Sequence, residues 1–116
     1  MLNRKKPAKN LLIVDIRDIH QLQFRYMPFV EQGGLFIETS ESYELGDQFF
    51  LLLRLIDEVE QLPLAVQVVW LAGSNVKNPH RPGIGVQFTD PDNEAKDRIE
   101  TYLAGAMNAP AATATL

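Results

Sequence analysis

The chain reads as a mainly β domain, a small antiparallel barrel of five or six strands closed by one C-terminal α-helix. Three observations predict this. Five apolar segments rich in branched and aromatic residues follow one another within about 80 residues, each bounded by a polar or Gly/Pro-rich separator. No long helical pattern interrupts them, which disfavours parallel βαβ units. One amphipathic helical pattern stands near the end. With 116 residues, 46% of them apolar and 22% charged, the chain is one ordinary domain.

In order, residues 1–9 form a basic tail expected to be flexible, and "NLLIVDI" from Asn10 begins the domain as a short strand. "DIHQLQFRYMPF" places Ile19, Leu22 and Tyr26 at helical spacing and stops at Pro28, predicting a turn or two of helix. "GGLFIET", "QFFLLLRLI", "PLAVQVVWLA" and "GIGVQFT" follow as strands. In "TDPDNEAKDRIETYLAGAMN", Asp90 is the expected cap and Pro91 the first helical residue. Ala95, Ile99, Tyr102, Leu103 and Ala106 share one face, and Glu94 pairs with Arg98 on the other. The domain is expected to end near residue 108, leaving 109–116 as a disordered tail of small residues.

"QFFLLLRLI" is apolar on both faces. Phe49, Leu51, Leu53 and Leu55 suffice for an interior, yet Phe50, Leu52 and Ile56 remain around Arg54 on the other side. The expected cover is the C-terminal helix; the alternative is a docked protein.

Composition excludes several functions. There is no cysteine, so disulfides, thiolate metal sites and cysteine nucleophiles are out, and a cytoplasmic address is permitted. From residue 11 onward seven basic residues face fifteen acidic ones, a balance of −8 that disfavours nucleic acid. No apolar run approaches the ~20 residues of a membrane helix and no signal peptide is evident, so a soluble, cytoplasmic protein is expected.

Catalytic constellations are equally poor. His20 and His80 lie far apart in sequence. Asp15, Asp18 and His20 match no familiar metal spacing. Ser40, Ser42 and Ser74 fall in loops outside any nucleophile elbow, and Asp57, Glu58 and Glu60 read as a solvated hairpin turn. Gly83-Ile84-Gly85 opens a strand rather than a helix, so it is no dinucleotide loop. The domain is therefore read as non-catalytic, with neither cofactor nor metal.

"GGLFIET", "LGDQFFLLLRL", "VQVVWL" and "GIGVQF", in this order and followed by a helix, resemble the PilZ domain family over about Asn10 to Ala106. The phrases "YMPFVEQGGLFI" and "IETYLAGAM" resemble its type IV pilus-assembly branch. The resemblance implies a six-stranded antiparallel PilZ-type β-barrel with a C-terminal α-helix. It also implies a ligand to test, because most PilZ domains bind cyclic di-GMP through Arg-x-x-x-Arg and Asp/Asn-x-Ser-x-x-Gly motifs.

Arginine forks suit guanine edges and phosphates, and the carboxylate or amide with the hydroxyl completes such a site. Aligned on Gly34, however, this chain has Phe29 for Asp/Asn and Glu31 for Ser. Upstream, Lys5 and Lys9 have the arginine spacing without the planar fork. Three lost contacts at about 1.5–3 kcal/mol each remove most of the ~8 kcal/mol of a micromolar complex. A cyclic di-GMP receptor using the two lysines is the alternative reading.

The pilus-assembly branch implies a non-catalytic adaptor between the pilus extension ATPase PilB and a FimX-like EAL-domain regulator that itself senses cyclic di-GMP. The contact surface is expected among the aromatic and Met side chains near the degraded motif: Phe24, Tyr26, Met27 and Phe29, with Tyr26 and Met27 first. The competing reading has these side chains plug the barrel's end. Trp70, Phe50 and Leu52 are second-rank candidates, Trp70 otherwise belonging to the core.

Overall fold

The computed structural model describes residues 11–73 and 82–114, with side chains through residue 106. Strand β1 (Leu11–Ile16) leads into helix α1 (Ile19–Arg25), then strands β2 (Gly34–Glu38), β3 (Gln48–Leu55), β4 (Leu62–Ala72) and β5 (Gly83–Phe88), and helix α2 (Glu94–Ala114). The basic tail, with Arg4, Lys5 and Lys9, and also Ser74 and His80, lies outside the described residues.

The five strands form one curled sheet in the order β1-β3-β4-β5-β2, a half-barrel rather than a six-stranded closed one. β3, β4, β5 and β2 pair antiparallel, but β1 runs parallel to β3, with Leu11 beside Phe50 and Ile16 beside Leu55. The expectation of an all-antiparallel sheet is corrected here. Alternating apolar residues look the same in either direction, and only the path of the chain, which carries β2 to the far edge before β3 returns beside β1, sets the polarity.

Side-chain alternation explains the core. Phe49, Leu51, Leu53 and Leu55 of β3 are buried with Leu64, Val66 and Val68 of β4 and Ile84, Val86 and Phe88 of the next strand. Leu22 of α1 and Ala95 and Ile99 of α2 enter the same cluster, so both helices cover the inner face. The expectation that α2 would lie over Phe50 and Leu52 is thereby corrected. A half-barrel leaves its interior open, and that is where an amphipathic helix removes most apolar surface from water.

Local chemistry sets the helix ends. The Asp18 carboxylate accepts from the Gln21 amide at 2.9 Å, capping α1, and the Gln21 side chain accepts from the Arg17 amide at 3.0 Å. Asp90 does not cap α2 as expected: its carboxylate accepts from the Ala65 amide of β4 at 3.0 Å. The chain then turns through Asn93 at φ +56°, and the helix starts at Glu94. It continues to Ala114, past the boundary near residue 108 that composition suggests.

Polar struts hold α2 at two points. The Tyr26 hydroxyl donates to Glu100 at 2.7 Å, with Lys96 on the other carboxylate oxygen at 3.4 Å. The Tyr102 hydroxyl donates to Glu58 at 2.8 Å, and Arg98 bridges Glu58 at 3.0 Å and Glu94 at 3.1 Å. Glu58 is thus recruited by α2; exposed Asp57 also accepts from the Tyr102 hydroxyl at 3.4 Å, and Glu60 stays exposed in the turn. Tyr43 packs on Phe49, ring centroids 5.2 Å apart, with its hydroxyl buried and unpartnered among the described residues.

All three tyrosines are consequently harder to ionise than in water. Burial comes first for each, reinforced by Glu100 at Tyr26, by the charges of Glu41 and Asp47 at Tyr43, and by Glu58 at Tyr102, which is pushed up to about 12. Because the folded state holds the neutral phenol, this stabilisation is complete below the ordinary value near 10 and is lost as pH rises through the folded values. Alkaline titration followed by phenolate absorbance should show little ionisation near pH 10 in folded protein and about half in urea. Ordinary titration of the folded chain counts against the struts.

Candidate functional site

The turn between α1 and β2 carries the residues that the sequence singles out. Tyr26 forms an isolated bridge with Leu35, and the Met27 amide donates to the Gly34 carbonyl at 2.9 Å, so the end of the helix is stitched to the edge of β2. Two tight turns follow, Val30 N–H to the Met27 carbonyl at 3.3 Å and Gly33 N–H to the Val30 carbonyl at 2.7 Å. Gln87 donates to the Glu31 carbonyl at 2.9 Å, tying the turn to β5.

The glycine pair serves this close packing. Gly33 has φ +82°, a left-handed conformation that other residues adopt at a cost, and a Cβ there would sit 3.1 Å from the Tyr26 hydroxyl. A Cβ on Gly34 would run into the backbone carbonyl of Val86. On the facing strand, a Cβ on Gly85 would lie 3.0 Å from Met27 Cε and 3.1 Å from Trp70 Cβ. The protein's own backbone and side chains therefore occupy the space that these glycines leave.

What the turn displays is apolar. Phe29 is 81% exposed and Trp70 51%, and together with Met27, Val30 and Val69 they line a recess of about 380 Å³. Trp70 leans on Phe36 of β2 with centroids 5.8 Å apart. A β-bulge between Val68 and Trp70 breaks the alternation, so that Val69, Trp70 and Leu71 are all exposed after buried Val68. Glu31, next in the chain after Val30, is exposed.

The named candidates divide. Tyr26 and Met27, expected to lead the contact surface, are 7% and 5% exposed, which corrects their ranking: they support the turn from below. Phe29 and Trp70 come together at the recess, and Trp70 is not a core residue. Phe24 is exposed on α1 and does not line it. Phe50 and half-buried Leu52 lie on the outer face of β3, beside Leu11 and Ile13.

Val30 and Val69 are members that sequence reasoning missed. The unbroken apolar run "VVWL" is the one signal that alternation fails there. The proposed acids separate as well: Asp15 binds Arg54 through both oxygens, at 3.2 and 3.0 Å, Asp18 caps α1, and His20 is exposed. Among the described residues no three His, Asp or Glu side chains converge on a metal position.

Gly34→Ala should lose about 2–3 kcal/mol in chemical denaturation, since backbone has to move to admit the methyl. Gly105→Ala, in the middle of α2 with open space around it, should gain about 0.5–1 kcal/mol. Equal effects from the two changes contradict the tight approach at Gly34.

No curated protein matches the chain in sequence. In a comparison with protein families, residues 4–105 match the PilZ domain, whose members are typically non-catalytic binding or adaptor domains with a role in cyclic di-GMP-related signalling or in adaptor function. No helix of the described residues is long and apolar enough to cross a membrane. The half-barrel, the glycine-dependent turn and the C-terminal helix accordingly take their place in a recognised frame: the chain belongs to the PilZ domain family.

Proposed function

We propose that this PilZ domain is a non-catalytic adaptor in type IV pilus assembly, acting through protein contacts in place of cyclic di-GMP. The observation that carries the reading is the turn at residues 29–34. Where a nucleotide-binding member of the family would present a hydrogen-bonding side chain, Phe29 stands exposed beside Trp70, and Glu31 adds an exposed acid in the same turn. An exposed aromatic pair over an apolar recess suits a partner's side chain. A carboxylate beside a bis-anionic dinucleotide is repulsive.

The partners that suit such an adaptor are the pilus extension ATPase PilB and a FimX-like EAL-domain regulator. The domain would hold both in one complex in the cytoplasm, so that cyclic di-GMP bound by the regulator alters pilus extension by the motor. Phe29 and Trp70 are the contact residues, carried on the platform of Tyr26 and Met27; Phe24, Phe50 and Leu52 remain available to a second partner.

Calorimetric titration with cyclic di-GMP should give no saturable heat at micromolar protein, and the extension ATPase should co-purify with the domain. Phe29→Ala and Trp70→Ala should each weaken capture about 30-fold, the effect of a 2 kcal/mol hot spot, with thermal stability little changed for the exposed Phe29 and somewhat lowered for Trp70, whose ring packs on Phe36. Micromolar dinucleotide binding, abolished by replacing Lys5 and Lys9, would transfer the function to direct sensing.

A further inference from the structure

We propose that the free edge of β1 is a self-association site, on which a second copy of this chain adds its own β1 antiparallel, centred on Ile13. β1 is an end strand of the sheet, and among the described residues no strand pairs with its outer side. The Ile56 amide donates to the Ile16 carbonyl at 2.6 Å, so the backbone groups of Ile16 face β3. In a strand, residues two apart point the same way. Those of Val14 and Leu12 therefore also face β3, and the N–H and C=O groups of Leu11, Ile13 and Asp15 point outward from the sheet.

Among the described residues the flank of this edge is unguarded. Natural edges are commonly blunted by lysine, proline or a bulge, and β1 has none of these. Its outer-face side chains Leu11 and Ile13 are 49% and 63% exposed, beside Phe50 at 57%. On the inner face, Leu12 and Val14 pack against the core yet are only half-buried, because among the described residues no further strand closes the half-barrel over them. The one acid, Asp15, is already neutralised by the two-pronged contact from Arg54.

A second copy fits better than an arbitrary strand for two reasons. The full chain carries a net charge of −4, so two copies repel over most orientations. The one acid of this edge is already paired with Arg54, so meeting here adds no local like-charge contact. The register is also self-complementary. With Ile13 opposite itself, each copy's outward backbone groups are paired two bonds at a time, Leu11 faces Asp15 of the other copy, and one apolar row runs Leu52, Ile13, Ile13, Leu52 across the two-fold axis. The surface is small, so association should be weak and concentration-dependent.

This inference is independent of the pilus partners and is tested without them. Sedimentation velocity of the full chain over a concentration series should show a monomer–dimer equilibrium. Ile13→Lys should shift dissociation at least 10-fold, with circular dichroism unchanged because the side chain is exposed. The chain has no cysteine, so single cysteines report the register.

Ile13→Cys should form a disulfide-linked dimer under mild oxidation. Facing Cα atoms in a hydrogen-bonded pair are about 5.5 Å apart, inside the disulfide range. Leu11→Cys should not, since its counterpart would lie roughly 14 Å away along the strand. A monomer at every concentration, a dimer indifferent to Ile13→Lys, or equal crosslinking at the two positions overturns the proposal.

Discussion

A sheet that curls without closing has to have its inner face covered by something other than a strand, and that requirement organises the whole domain. The inward row of β3, from Phe49 to Leu55, is fully apolar, and it cannot be left facing water across the open side. Leu22 from α1 and Ala95 and Ile99 from α2 supply the cover. Burial of such side chains contributes about 1.5–3 kcal/mol each for the larger ones, more than any single polar contact here. The polar struts from Tyr26 and Tyr102 then set where along the opening α2 sits.

The same closure shapes the site. Tyr26 stands at the junction of α1, α2 and the glycine turn: its ring is buried, its hydroxyl binds Glu100, and Gly33 is pressed against it. Holding Glu100 as the hydrogen-bonded anion draws its carboxyl below the ordinary range. With Tyr26 and Met27 turned inward, the next side chains along the turn are forced outward, and Phe29 reaches the recess beside Trp70. Exposure of these aromatics is a by-product of the anchoring of their neighbours, which is why the residues that present the surface differ from those that build it.

The two apolar surfaces answer to different constraints. The recess at Phe29 and Trp70 depends on a bulge in β4 and on Gly85 beneath the indole, so its shape is fixed by tight packing. The stripe of Leu11, Ile13 and Phe50 depends only on strand alternation in an edge pair. One is a pocket for a side chain; the other is a backbone edge with an apolar flank. The two surfaces share no residue, so under the proposed adaptor reading both can be used without competition.

Five strands, a short helix after the first and a long amphipathic helix at the end were legible in the sequence, because period-2 and helical apolar patterns are local properties of the chain. The departure from the family's nucleotide motif, Phe29 and Glu31 relative to Gly34, is a matter of residue identity alone and was legible without a structure. Strand direction was not: β1 beside β3 is parallel through a contact between segments far apart in the chain, and alternation carries no sign of polarity. Nor could sequence decide which of Tyr26, Met27, Phe29 and Trp70 face water. That depends on a hydroxyl finding Glu100 across 74 positions and on a bulge that reverses the outward side of β4, both of which exist only once the sheet has curled and the helix has closed it.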